Sequence, residues 1–197
     1  MRRTLKVLLA IVVIGGTVLG FMSEGNAAVK HRSAAKRTVI IFYSQTNNTT
    51  RLAHKIHKES GVDVIRIKPQ KAYPSDGDAI NARVRREHRS NQYDQLLNVP
   101  SSLKKYDRVL VGFPIWSNDV AYPIQSFLSQ NQSKLAGKRI EPFSTSASAD
   151  SSAIKQSVRT IKRLVPDAHV EKGLNLTSGD TNTKKVKDWV KTVVFKR

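Results

Sequence analysis

A chain of 197 residues with 39% hydrophobic content is long enough for one domain with a proper core, and a second domain is not expected. The absence of cysteine excludes disulfides, thiolate metal sites and a lipid-modified N-terminal cysteine. A net charge of +19 raises nucleic acid as a partner, but no recognition motif is present and the aromatics are not interleaved with the basic runs, so no nucleic acid is expected.

At the N-terminus Arg2, Arg3 and Lys6 precede an uncharged run from Val7 to Met22. Ser23 to Ala28 then offer small residues suited to cleavage after Ala27 or Ala28. Positive charge, apolar core and small residues, in that order, make a secretory signal. As a helix at about 1.5 Å per residue the apolar run spans roughly 24 Å, short of the ~30 Å hydrocarbon core. Residues 1–28 are therefore expected as a signal peptide first and a retained membrane anchor second. Arg2-Arg3-Thr4-Leu5-Lys6 faintly resembles a twin-arginine signal, but the very apolar segment after it favours general secretion. Removing residues 1–28 removes Arg2, Arg3, Lys6 and Glu24, a net +2, and leaves +17. For an exported protein the natural counter-ions are anionic cell-wall polymers or lipid headgroups, with plain solubility as the simpler use.

Residues 29–37 (VKHRSAAKR) read as a basic linker by composition, and 38–197 as the folded domain. Within it, β-branched runs predict strands at Thr38–Tyr43, Val62–Lys68, Arg108–Phe113, Arg139–Ser144 and Ala168–Leu176. Helical patterns fall between and after them, at Thr49–Ser60, Asp78–His88, Ala121–Leu128, Ala153–Leu164 and Asp180–Val194. Strand and helix repeated five times mean parallel strands joined by right-handed crossovers. The expected architecture is α/β, a doubly wound five-stranded parallel sheet in the order 2-1-3-4-5 with helices on both faces. Its ligand belongs beyond the carboxyl ends of the strands, at the switch point between strands one and three.

Three loops should meet there: Ser44–Thr49, Pro114–Pro123 and Thr145–Ser152. The first packs hydroxyls and amides into the turn that opens a helix and contains no lysine or arginine. Free N–H groups and the positive end of the helix dipole converge on such a turn, which suits it to a phosphate. The second loop presents Trp116. Together they predict a ligand with a phosphate at one end and a flat ring at the other. No GxGxxG or GxxxxGK run occurs. His54 and His57 lie three apart on a helix with no third ligand nearby, so they read as solvated residues and no metal is expected. Trp189 reads as packing, and Asp119 and Asp150 are not spaced as an acid–base pair. The acceptor patterns at Asn48-Thr49-Thr50 and Asn175-Leu176-Thr177 read as coincidental.

Tyr43-Ser44-Gln45-Thr46-Asn47-Asn48-Thr49 resembles the Tyr-Ser-x-Thr-Gly-Asn-Thr pattern of the flavodoxin family. The resemblance continues through Ala72-Tyr73-Pro74, Gly112-Phe113-Pro114-Ile115-Trp116, Phe127-Leu128, Pro142-Phe143-Ser144-Thr145 and Val165-Pro166-Asp167-Ala168, and so covers roughly residues 38–194. It implies a flavodoxin-like fold and a non-covalently bound FMN. Carried over, Ser44, Thr46, Asn47, Asn48 and Thr49 would hold the phosphate. Pro114 and Trp116, with Ser117, Asn118 and Asp119, would line the flavin ring, and Thr145, Ser146, Ala147 and Ser148 would border it. Three positions depart from the pattern. Asn47 replaces a glycine, Ser117-Asn118 replace Trp-Gly, and the third loop offers serine and alanine in place of glycines. Asparagine tolerates positive φ better than most residues, so the first turn is expected to survive. The implied function is electron transfer by an exported FMN-binding protein, with an unknown redox partner or small acceptor. A partner-fed or NAD(P)H-fed reductase of a quinone or another small acceptor, and a flavin-free cell-surface binding module that kept the fold, are the alternatives. No catalytic residue is assigned.

Overall fold

The computed structural model describes residues 18–90, 93–148, 151–180 and 183–196. The charged start of the expected leader, with the first part of its apolar run, lies outside the described residues, as do Ala149 and Asp150. The first described element is α1 (Val18–Lys36). Residues 29–36, expected as linker, are the last turns of this helix. They dock: Ala35 is buried, His31 stacks on Phe195 at 4.3 Å, and Thr38 Oγ1 donates to the Ala34 carbonyl at 2.9 Å. Among the described residues no helix is long and apolar enough to cross a membrane.

The sheet is built on β1 (Thr38–Phe42), whose five residues are all buried. A continuous apolar strand of this kind needs helices over both of its faces, and it has them. Val39 and Ile41 pack with one set, α3 (Gly77–Ser90), α4 (Tyr122–Gln130) and α6 (Ser151–Leu164), through Val84, Ile124, Phe127 and Ile161. Ile40 and Phe42 pack with the other set, α2 (Asn48–Ser60) and α7 (Thr183–Val190), through Leu52, Ile56, Val186 and Val190. A short α5 (Gln132–Leu135) follows α4, and a single π-helical turn at Lys191–Phe195 closes the chain against α1.

On one side β1 pairs in parallel with β2 (Asp63–Arg66) and on the other with β5 (Arg108–Trp116). Beyond β5 lies β7 (Arg139–Ser146), and the edge is shared by β8 (His169–Val170) and β9 (Leu174–Thr177). The order β2-β1-β5-β7-β8/β9 is the doubly wound arrangement that the alternating pattern predicts. Two short strands, β3 (Lys68–Pro69) and β4 (Leu96–Leu97), form a separate antiparallel pair around α3.

The fifth strand, expected unbroken at Ala168–Leu176, is interrupted. Ile140 pairs with Val170 and Phe143 with Leu174, so three residues oppose two across the gap, which is a bulge. The cause sits in β7. Arg139 N–H donates to Asp107 on the β5 side, and the Ile140 carbonyl accepts from Glu171 on the β8 side. Alternation then turns the nitrogen of Pro142 toward the fifth strand, where proline has no hydrogen to give. Gly173 fills the bulge at φ +80, and a side chain there would lie 3.0 Å from the Pro142 carbonyl oxygen.

Glu141, in the same strand, is 4% exposed, with its carboxylate 3.8 Å from the Arg108 guanidinium. Burial, with a smaller contribution from Glu171, pushes its pKa up to about 7 against the opposing pull of Arg108 and Arg139. The folded state thus holds this proton more tightly than the unfolded chain, whose glutamates titrate near ~4.3. The stability from this site is present below that value and is lost as pH rises through about 7. Denaturant unfolding of Glu141→Gln at pH 5 and pH 8 should show a loss between the two that is smaller than in the parent by on the order of 1–2 kcal/mol.

Candidate functional site

The carboxyl ends of β1, β5 and β7 bring the three expected loops to one edge. The first turns into α2 through Asn47, at φ 63 and ψ 3, the left-handed conformation that asparagine tolerates. Ser44 and Thr49 are buried in the turn, whereas Thr46 and Asn47 face solvent and Asn48 is half-buried. Ser44 Oγ accepts from Thr50 N–H at 3.3 Å, and the Asn47 side chain caps none of the first-turn N–H groups. Asn48 Oδ1 accepts from the Arg51 guanidinium. The loops are tied directly: Thr49 Oγ1 and Thr145 Oγ1 lie 2.8 Å apart in a buried hydrogen bond.

A cation joins this neutral loop from outside it. Register sets Arg66, the last residue of β2, beside Phe42 of β1. From there Nη2 donates to the Ser44 carbonyl at 2.7 Å and Nη1 to Asn47 Oδ1 at 3.4 Å, while the buried Nε has no partner. Nothing in the loop's own sequence signals this residue. The signal available was positional: the end of strand two must lie next to the end of strand one.

The second loop is not the open segment that the sequence suggested. β5 runs on to Trp116, Ser117 (φ 48) and Asn118 (φ 60) make a tight turn, and β6 (Asp119–Val120) pairs back antiparallel. Two consecutive left-handed residues are what a two-residue hairpin turn requires. Tyr122 and Pro123 already belong to α4. The hairpin holds Trp116 half-buried, with its ring 4.9 Å from Tyr73 and 5.6 Å from Tyr43, both edge-on.

Those supports are themselves fixed. The Arg83 guanidinium lies 3.8 Å over the Tyr73 ring and bonds Glu87 at 2.7 Å and Asp94 at 2.5 Å. Tyr73 donates its hydroxyl to Glu87, and Tyr43 donates to Gln45 Oε1 at 2.5 Å. Burial raises both phenols well above the ordinary tyrosine range, so each is a neutral donor at any working pH. Gln45 Nε2 in turn donates to the Pro74 carbonyl at 2.9 Å, joining the first loop to the segment before α3. The family resemblance includes Tyr73 but implies no role for it or for Arg83. The four-residue spacing of Arg83 and Glu87 is the sequence signal for that ion pair.

Of the remaining expected residues, Pro114 is the register partner of Thr145 and so sits at the crevice. Ser117 and Asn118 are exposed at the hairpin tip. Asp119 points elsewhere: its Oδ1 accepts from Val120 N–H at 2.7 Å and its Oδ2 from the Thr160 hydroxyl of α6 at 2.6 Å. Ser146 donates to the Ser148 carbonyl, and Ser144 and Ser146 both approach Asn175 Oδ1, at 2.9 and 3.2 Å, so β9 braces the third loop. Ala147 and Ser148 are exposed. His57 Nδ1 lies 2.8 Å from the Val62 carbonyl, and among the described residues no three His, Asp or Glu are grouped as a metal site.

The crevice therefore offers neutral hydroxyl and N–H donors, the Arg66 guanidinium with its buried unpaired Nε, and an anchored indole. That set suits a phosphate attached to a planar ring. Residues 37–193 match a family model described as flavodoxin. Among solved structures, a flavoprotein candidate from Bacteroides uniformis aligns with 28% identity over 80% of this chain and 99% of its own, at a TM-score of 0.68. A flavoprotein in complex with FMN from Lactobacillus acidophilus aligns with 23% identity over 79% of this chain and 99% of its own, at a TM-score of 0.64. A flavodoxin, WrbA-like protein from Agrobacterium tumefaciens aligns with 14% identity over 80% and 94%, at 0.55. No curated protein matches the chain.

Proposed function

The chain belongs to the flavodoxin family, and from that premise we propose that it is an FMN-binding flavoprotein that carries electrons between a redox partner and an acceptor. The observation that carries this reading is the buried Thr49–Thr145 bond, which locks the phosphate-type turn against β7, the neighbour of the strand that ends in Trp116. The FMN complex of the Lactobacillus relative supports the choice of flavin. When bound, FMN supplies the redox chemistry and the protein supplies its binding and its electrostatic surroundings.

The residues divide the work. Ser44, Thr46, Asn48 and Thr49, with the first-turn N–H groups of α2, would hold the phosphate through neutral donors. Arg66 would add charge, and its constraint by Ser44 and Asn47 keeps the guanidinium aimed along the turn. Trp116 would cover the ring and exclude water, its plane set by Tyr43 and Tyr73. Thr145 and Ser146 would border the ring from the third loop. Asp119, committed to Thr160, would not take part.

Titrating the purified chain with FMN should shift the visible flavin bands and quench the flavin fluorescence at one equivalent. A chain that leaves the spectrum of free FMN unaltered would refute the reading. The same titration tests Arg66. Arg66→Gln should weaken FMN binding by about tenfold or more, the scale of one charge-assisted hydrogen bond. It should leave riboflavin binding unchanged, because riboflavin lacks the phosphate.

A further inference from the structure

Away from the phosphate loop, a cleft of about 430 Å³ opens between the end of α3, the start of α4 and one side of α6. That volume falls within the range of small-molecule sites, roughly 300–1,000 Å³. Its floor is aromatic and fixed. Tyr122 is 3% exposed, its hydroxyl donates to the Glu87 carbonyl at 2.7 Å, and Tyr93 packs on it at 5.2 Å with the planes 32° apart. His88 meets Tyr122 edge-on at 5.3 Å.

The rim is cationic. Arg159 and Arg163 stand one turn apart on α6 and both border the cleft. Neither forms an ion pair among the described residues. Arg159 is steadied by Gln156 Oε1, at 3.1 Å from Nε and 2.8 Å from Nη2. Two nearby carboxylates are paired elsewhere, and the third, Asp119, lines the cleft as one negative charge against the two guanidinium groups. Glu87 and Asp94 bind Arg83, and both oxygens of Asp119 accept hydrogen bonds inside the wall. A rim with cationic excess over a tyrosine floor selects a ligand that is flat at one end and anionic at the other.

We propose that this cleft is a second binding site, for a small aromatic acid whose ring lies against Tyr93, backed by the buried Tyr122, and whose carboxylate or sulfonate is held by Arg159 and Arg163. One wall is the hairpin that carries Trp116, since Asp119 is the register partner of that tryptophan. An occupant would therefore sit against the back of the aromatic support of the main crevice. The assignment stands on the cleft alone and does not require the flavin reading.

Naphthoate is a suitable probe, with naphthylmethanol as its neutral counterpart and inorganic phosphate as the bare anion. Calorimetric titration of the full chain, with and without saturating FMN, should show one equivalent of naphthoate bound under both conditions and neither control bound comparably. Arg159→Gln combined with Arg163→Gln should weaken naphthoate by about tenfold or more, and Tyr93→Ala should weaken it by a similar factor. Both arginines are exposed, so these changes leave the core untouched. The proposal fails if naphthoate does not bind, if both variants bind it as the parent does, or if phosphate or naphthylmethanol binds equally well. Displacement of naphthoate by FMN would also overturn it, by placing the probe in the flavin crevice.

Discussion

Replacing Gly112 by alanine should destabilise the domain by about 3 kcal/mol or more, at or beyond the usual range for overpacking. Gly112 lies mid-strand in β5, between β1 and β7. A Cβ there would fall 2.2 Å from Phe143 Cζ, 2.5 Å from Phe143 Cε2 and 2.8 Å from Phe42 Cβ. The Phe143 ring could swing aside only into filled space, because it is fully buried with Trp189 packed on it at 6.1 Å. Phe42 Cβ is fixed by the β1 backbone and cannot yield without moving the strand that leads into the first loop. Urea unfolding should show the loss as a lowered midpoint with an unchanged slope. Pairing Gly112→Ala with Phe143→Leu should recover part of it, since the ring accounts for the two closest contacts. An alanine variant with the parent midpoint would mean that β5 and β7 adjust more freely than their register allows.

That glycine was visible in the sequence as part of Gly-Phe-Pro, yet the reason for it lies in two phenylalanines from other strands. The contrast runs through the whole molecule. Local patterns are readable: the apolar run of β1, the helical pattern at Thr49–Ser60, and the polar turn between them. The left-handed asparagine was readable too, because Asn47 occupies a motif position that demands positive φ. What escaped was set by partners distant in sequence. Arg66 reaches the first loop only because β2 lies beside β1. The fifth strand breaks because Pro142, on a neighbouring strand, withholds a donor. The segment 114–123 reads as a loop because Ser117 carries no signal for a residue at φ 48, which the hairpin requires. The family resemblance puts Asp119 beside Trp116 at the ring, whereas the hairpin turns its carboxylate onto Thr160.

Trp116→Ala should weaken FMN by roughly ten- to a hundredfold, the scale of about 1–3 kcal/mol expected for losing one stacked aromatic face and its buried area. The loss should fall equally on riboflavin, because the indole addresses the ring and not the phosphate. Arg66→Gln should show the opposite pattern and discriminate between the two flavins, so a titration of both ligands against both variants separates the two halves of the crevice. Trp116→Phe should restore most of the affinity, since a phenyl ring can still lean on Tyr43 and Tyr73. The fold should survive each change: Trp116 is only half-buried, and the supports beneath it are held independently by Gln45, Arg83 and Glu87. Should Trp116→Ala bind both flavins as tightly as the parent, the indole would be no more than a lid on two tyrosines. The ring would then have to lie against the third loop, where Thr145 is buried and Ser146 half-buried.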